Sequence, residues 1–169
     1  MIKTLLSSTL ISSLFLLIQT TWLKNGLFWG VVPDFALVVI LWIAYYNRDN
    51  QGVLTGFLSG IVGDAMSSSP FGYLSFIYTV PAYLASLLRR AMELDAFFMP
   101  VLLGFAGTIA KGLASVVLLV IFGSGKINAY ALGDFHFWME AALNGAAAPP
   151  LFWLLRKAKN FLVAKRVGD

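Results

Sequence analysis

The sequence contains no cysteine and a single histidine, and only 12% of its 169 residues are charged. Without cysteine there is no disulfide framework, no thiolate nucleophile and no cysteine metal site. His136 sits among Phe135, Phe137 and Trp138. With no second histidine it cannot anchor an ordinary zinc site, so it reads as an interfacial ring with a wet polar tip. The scarcity of charge excludes more. Soluble domains carry about 25% charged residues, whereas this chain is 59% hydrophobic with a mean hydropathy of +0.81. No loop is long enough to fold on its own, so function must reside in a membrane or at its two faces.

What is present is a succession of apolar runs, each near the length of about 20 residues that crosses a bilayer as a helix. They lie at 5–23, 27–46, 52–66, 73–88, 97–122 and 135–155, which makes residues 1–169 one polytopic all-α domain with six transmembrane helices. The first run ends in Gln19-Thr20-Thr21-Trp22 rather than a small-x-small site, so it is expected to stay as a helix and not to be cleaved. In the second, regular helix is expected to begin near Pro33. The net charge of +4 suggests nucleic acid until its distribution is considered. Nine basic residues (Lys3, Arg48, Arg89, Arg90, Arg156, Lys157, Lys159, Lys165, Arg166) share one side and two, Lys24 and Lys126, the other. This bias places both termini in the cytoplasm of a multi-pass membrane protein and leaves no nucleic-acid patch. Trp22, Trp29 and Trp138 then fall near the outer boundary, and Trp42, Tyr45, Tyr46 and Trp153 near the inner one. Gly123-Ser124-Gly125-Lys126 lacks the earlier glycine of a phosphate loop and reads as a turn.

Three features stand out. Gly52, Gly56 and Gly60 recur every four residues, with Ser59 and Gly63 alongside, a spacing that lets helix backbones approach closely. The helix against them could be a partner's or another span of this chain. Ser8 and Ser12, and Ala106, Ala110 and Ala114, supply further seams. Second, Asp34, Asp64, Lys111 and Glu140 lie at membrane depth, all toward the outer half. Such charges are expensive unless paired or hydrated. Lys111 is therefore expected to have an acidic partner, with Asp64 and Glu140 as candidates, and the group to line a polar outer cavity. Asp64 could serve the helix end and the turn at Ser67 to Gly72, or Lys111, or a ligand, in that order. Third, Asn144-Gly145 precedes Pro149-Pro150 within the sixth run, where proline should kink the helix and Asn144 should cap the freed backbone or bond to a neighbouring helix.

Pro33-Asp34, then "GFLSGIVGDAMSSSPFGYLSFIYTVPAYLASLLRR" from residue 56, then "FWMEAALNGAAAPPLFWLLRKAKNF" from residue 137 resemble the rod shape-determining protein MreD family of bacteria. The resemblance rests on Gly56-Phe57, Gly60, Asp64, Gly72, Ala82-Tyr83-Leu84, Asn144-Gly145, Pro149 and the basic terminus, and Lys111 lies outside it. It implies a non-enzymatic scaffold of the cell-elongation complex, supporting cell shape and peptidoglycan synthesis without cofactor or metal. Such a scaffold binds MreC and, through it, couples MreB filaments to RodA and its penicillin-binding transpeptidase. The family's six-helix layout also resembles the S components of energy-coupling-factor vitamin transporters, which supplies an alternative: capture of a small vitamin in an outward cavity. An intramembrane enzyme would have only Asp64, Glu140, Lys111 and His136 from which to build a nucleophile and base.

Overall fold

The computed structural model describes residues 2–22, 30–47, 50–91, 97–123 and 132–162. Outside them lie Lys24, Trp29, Arg48, Glu93, Asp95, Lys126, Lys165 and Arg166, and with them most of the 123–134 loop and the outer hairpin. The described residues form six long helices and one short one: α1 (Ile2–Trp22), α2 (Phe35–Tyr46), α3 (Gln51–Met66), α4 (Tyr73–Ala91), α5 (Phe98–Phe122), α6 (Phe135–Lys157) and α7 (Lys159–Leu162). Two of them, over Ile2–Thr21 and Phe98–Phe122, are long and apolar enough to cross a membrane by length and composition alone.

The bundle is organised around α2. Its sequence FALVVILWIAYY has no polar face, and a helix apolar all round belongs inside; every residue from Ala36 to Ala44 is buried, packed among α1, α3, α4, α5 and α6. Trp42 is wholly inside. The ring therefore faces the core of the bundle, and its burial there comes from the helices packed on α2. At 12 residues α2 is only about 18 Å long. Helix also starts later than expected: Pro33 and Asp34 precede it, and Asp34 is the N-cap, accepting from Leu37 N–H at 3.0 Å.

The glycine ridge of α3 is covered from within the chain. A Cβ on Gly52 would collide with the Ala44 backbone of α2, and one on Gly60 with the Ser75 backbone of α4. At Gly56 it would lie 2.9 Å from the Tyr78 carbonyl oxygen, while Gly63 faces Leu74 and Leu16. Of the two occupants that the spacing allowed, the internal one is present. Beside Gly52, Gly56 and Gly60 the backbone of α2 and α4, and beside Gly63 the side chains of Leu74 and Leu16, take up the space an incoming helix would need. On the other side of α3, Ser8 meets Thr55 at 2.8 Å and Ser12 meets Ser59 at 2.5 Å, two hydroxyl contacts one helical turn apart that seam α1 to α3. Helix α5 uses small residues likewise, Gly104 against the Asn144 carbonyl and Gly107 against Leu41. Helix α6 remains helical through Pro149 and Pro150, and α4 through Pro81.

Candidate functional site

Helices α2, α4 and α6 begin, and α1, α3 and α5 end, at the same end of the bundle, and Asp34, Asp64, Lys111 and Glu140 gather toward it. Lys111, projecting from α5, places its Nζ 2.8 Å from Asp34 Oδ2 and 2.5 Å from Glu140 Oε1, with all three residues buried. The partners are thus Asp34 and Glu140. Asp64 is not among them, and the reason is that its acceptors are already committed.

Asp64 closes the α3–α4 turn. Its two oxygens accept from the backbone N–H groups of Gly72 (2.9 Å), Leu74 (2.7 Å) and Ser75 (3.2 Å), and from the Ser75 hydroxyl (2.8 Å). These are donors that the first turn of a helix leaves without intrahelical partners. Asp64 therefore caps α4 from the preceding helix, and the partial positive charge of a helix start suits its negative charge. Gly72 stands at φ +95° in this turn, a conformation that glycine adopts without strain.

Around Asp34 the network joins Asn144 to residues with no distinguishing pattern in the sequence: Gln19, Tyr78 and Thr108. Gln19 of α1 donates to Asp34 Oδ1 at 3.1 Å and accepts from Ala36 N–H at 3.1 Å. Tyr78 of α4 donates to both Asp34 oxygens, 3.2 Å from each. Asn144 of α6 accepts from the Asp34 N–H at 2.7 Å and donates to Thr108 of α5 at 2.9 Å. Asn144 therefore takes the second of its two expected roles, a bond across to neighbouring helices. Gly145, its neighbour, packs toward Val101 and Phe105 of α5. Five helices meet in this network, and buried polar groups linked so completely fix a unique arrangement.

The charges line a cavity of about 820 Å³. Glu140, Lys111 and Asp34 form its depth, Leu16, Val31, Ile77 and Phe137 its apolar walls, and Asp134 and His136 its mouth. Asp134 is the N-cap of α6, 3.1 Å from His136 Nδ1 and 3.4 Å from the His136 N–H. Hydrogen bonds from the His136 ring, then from its backbone, hold the exposed Asp134 carboxyl below the ordinary carboxylate range.

The family model described as rod shape-determining protein MreD matches residues 1–158, which takes in α1 through α6 and every residue of the site. The chain belongs to the MreD family. No curated protein and no solved structure matches it. Membership gives the chain a role in rod-shape determination, within a membrane protein family of shape-determining rather than known enzymatic character. The match extends over Lys111, which stands outside the motifs that carry the resemblance, and over Gln19, Tyr78 and Thr108, which belong to no motif. Their one common signal is a polar side chain facing inward from an apolar helix.

Proposed function

We propose that the chain is a non-enzymatic membrane scaffold of the bacterial cell-elongation complex. All six long helices cross the cytoplasmic membrane as one domain, with both termini inside. The scaffold binds the transmembrane helix and extracytoplasmic part of an MreC-type partner and couples it to MreB filaments, RodA and the penicillin-binding transpeptidase, in support of peripheral peptidoglycan synthesis. The observation that carries this reading is the family match over all six long helices. Helices too short to span alone become membrane elements as members of one bundle, and the nine-to-two distribution of basic residues supports the orientation. On the basic side, Lys157 lies 3.8 Å from the Trp153 ring centre and Arg156 donates to the Tyr46 hydroxyl, an aromatic and cationic rim suited to anionic lipid.

With the glycine ridge occupied, the partner helix is assigned to outward apolar surface: the face of α1 bearing Leu6, Leu10 and Leu14, or that of α5 bearing Leu113, Val117 and Val120, all exposed. The absence of cysteine makes single-cysteine crosslinking in cells clean. Adducts with an MreC-type partner along one of these faces are expected. Failure to crosslink or co-purify from any helix refutes the scaffold reading. The cavity is the observation that favours the S-component alternative, for which stabilisation of the purified protein by a vitamin, without partner binding, is the decisive result.

A further inference from the structure

The charge balance at the bottom of the cavity is uneven. Two carboxylates face one ammonium, and they are not equally satisfied. Asp34 accepts from Lys111, Gln19, Tyr78 and Leu37 N–H, which engages both oxygens. Glu140 accepts from Lys111 through Oε1 alone. Its second oxygen has no hydrogen-bond donor among the described residues, although the side chain is only 8% exposed and forms part of the cavity wall. That oxygen is not sealed off from the cavity, so it stands open to a donor carrying positive charge, the strongest kind of partner for a carboxylate. Asp134 adds a third carboxylate, at the mouth. Lys111 is the one lysine or arginine on the wall among the described residues, and it is already shared by two acids.

We propose that this cavity binds an organic cation, with a protonated amine on Glu140 Oε2 and an apolar body against Leu16, Val31 and Ile77. An anion would meet uncompensated negative charge. A hard metal ion would need about six oxygen ligands, and both oxygens of Asp34, the carboxylate that shares Lys111 with Glu140, are already engaged. The volume lies within the several hundred Å³ typical of small-molecule sites. This proposal does not rest on the scaffold reading, since it concerns an occupant of the cavity and not the outer faces.

The test uses the full-length protein in lipid nanodiscs, with benzylammonium as the probe and benzyl alcohol as its neutral match. The amine is expected to raise Tm more than the alcohol does, and Glu140→Gln to remove that excess with a loss of affinity of about tenfold or more. Thr20→Trp, on the α1 wall of the cavity, should abolish the excess with Glu140 intact, and it decides the matter if the Glu140 variant does not fold. Equal effects of amine and alcohol on the wild type, or an amine excess that survives either substitution, overturn the proposal. Comparison of variants with wild type removes any contribution from partitioning into lipid.

Discussion

Replacing Lys111 with methionine should be the most damaging single change in the bundle. The substitution keeps a long unbranched side chain, one atom shorter, but deletes two charge-assisted contacts, at 2.8 and 2.5 Å, and leaves Asp34 and Glu140 facing each other without a cation. Two unit charges about 4 Å apart interact by about 4 kcal/mol at an effective dielectric constant of 20. Removing one member of a buried ion pair costs about 3–5 kcal/mol. Asp34 keeps Gln19, Tyr78 and Leu37 as donors, so Glu140 bears most of the loss. Glu140→Gln should be far milder, about 1 kcal/mol or less by the same comparison, because it removes the excess charge and preserves the Lys111–Asp34 pair. The double variant should then be less destabilised than Lys111→Met alone, with a coupling of about 1–3 kcal/mol. Equilibrium unfolding in mixed micelles, followed by helical circular dichroism, measures all three. If Lys111→Met costs less than about 1 kcal/mol, or the double change equals the sum of the singles, the Lys111–Glu140 pair does not carry stability and the reasoning fails.

Other substitutions probe other links. Asp64→Ala removes the acceptor of three backbone donors and one hydroxyl, and should cost about 2–4 kcal/mol in the same unfolding measurement, with Asp64→Asn intermediate because one acceptor oxygen remains. Gly60→Ala forces α3 from the Ser75 backbone and should destabilise by about 1–3 kcal/mol; unchanged stability with lost partner binding would instead return the ridge to the partner. Ser12→Ala should cost about 1 kcal/mol, whereas Ser12→Ala with Ser59→Ala should recover much of it, since removing both partners leaves no orphan hydroxyl. The start of α6 should depend on pH with a defined sign. Asp134 has a depressed pKa in the folded chain, so its capping contribution is complete above the ordinary carboxylate range and is lost as pH falls through the lowered value. Amide hydrogen exchange at His136 and Phe137 should accelerate on acidification relative to the intrinsic rate, and Asp134→Asn should flatten that profile.

Local chemistry was legible in the sequence where neighbours along the chain settle it. The α3–α4 turn, with Asp64 ahead of Ser67 to Gly72, could be read because cap, turn and helix start lie within a dozen residues. The close approach at Gly52, Gly56 and Gly60 could be read from spacing, but not which helix makes it, since small residues invite any backbone. Lys111 was recognisable as a charge that needs an acid. That it takes Asp34 over Asp64 was not legible, because depth along a helix does not give rotation about its axis. The same rotation hides Gln19, Tyr78 and Thr108, polar residues that would serve equally well facing headgroups or water. Trp42 shows the converse case. An aromatic near a helix end resembles an interfacial anchor until the neighbours of α2 are counted around it.

The two acidic centres at this end of the bundle divide their work in a way that bears on function. Asp64 is consumed by one turn: all its bonds run within α3, α4 and the link between them, so its loss should act locally. Asp34 and Lys111 tie α1, α2, α4, α5 and α6 through side chains that must all be in place together. Helix α3, the one long helix outside that network, is held instead by its glycine ridge and by the hydroxyl contacts to α1. A scaffold needs such rigidity, because a surface that docks a partner helix in lipid gains no hydrophobic drive and depends on fixed shape. The same buried polarity would serve a capture protein only if its charges were left unbalanced toward a cavity. Glu140 is where that imbalance lies, and Glu140→Gln therefore separates the two uses: it should leave the shape of the bundle and partner crosslinking intact while removing the preference of the cavity for a cation.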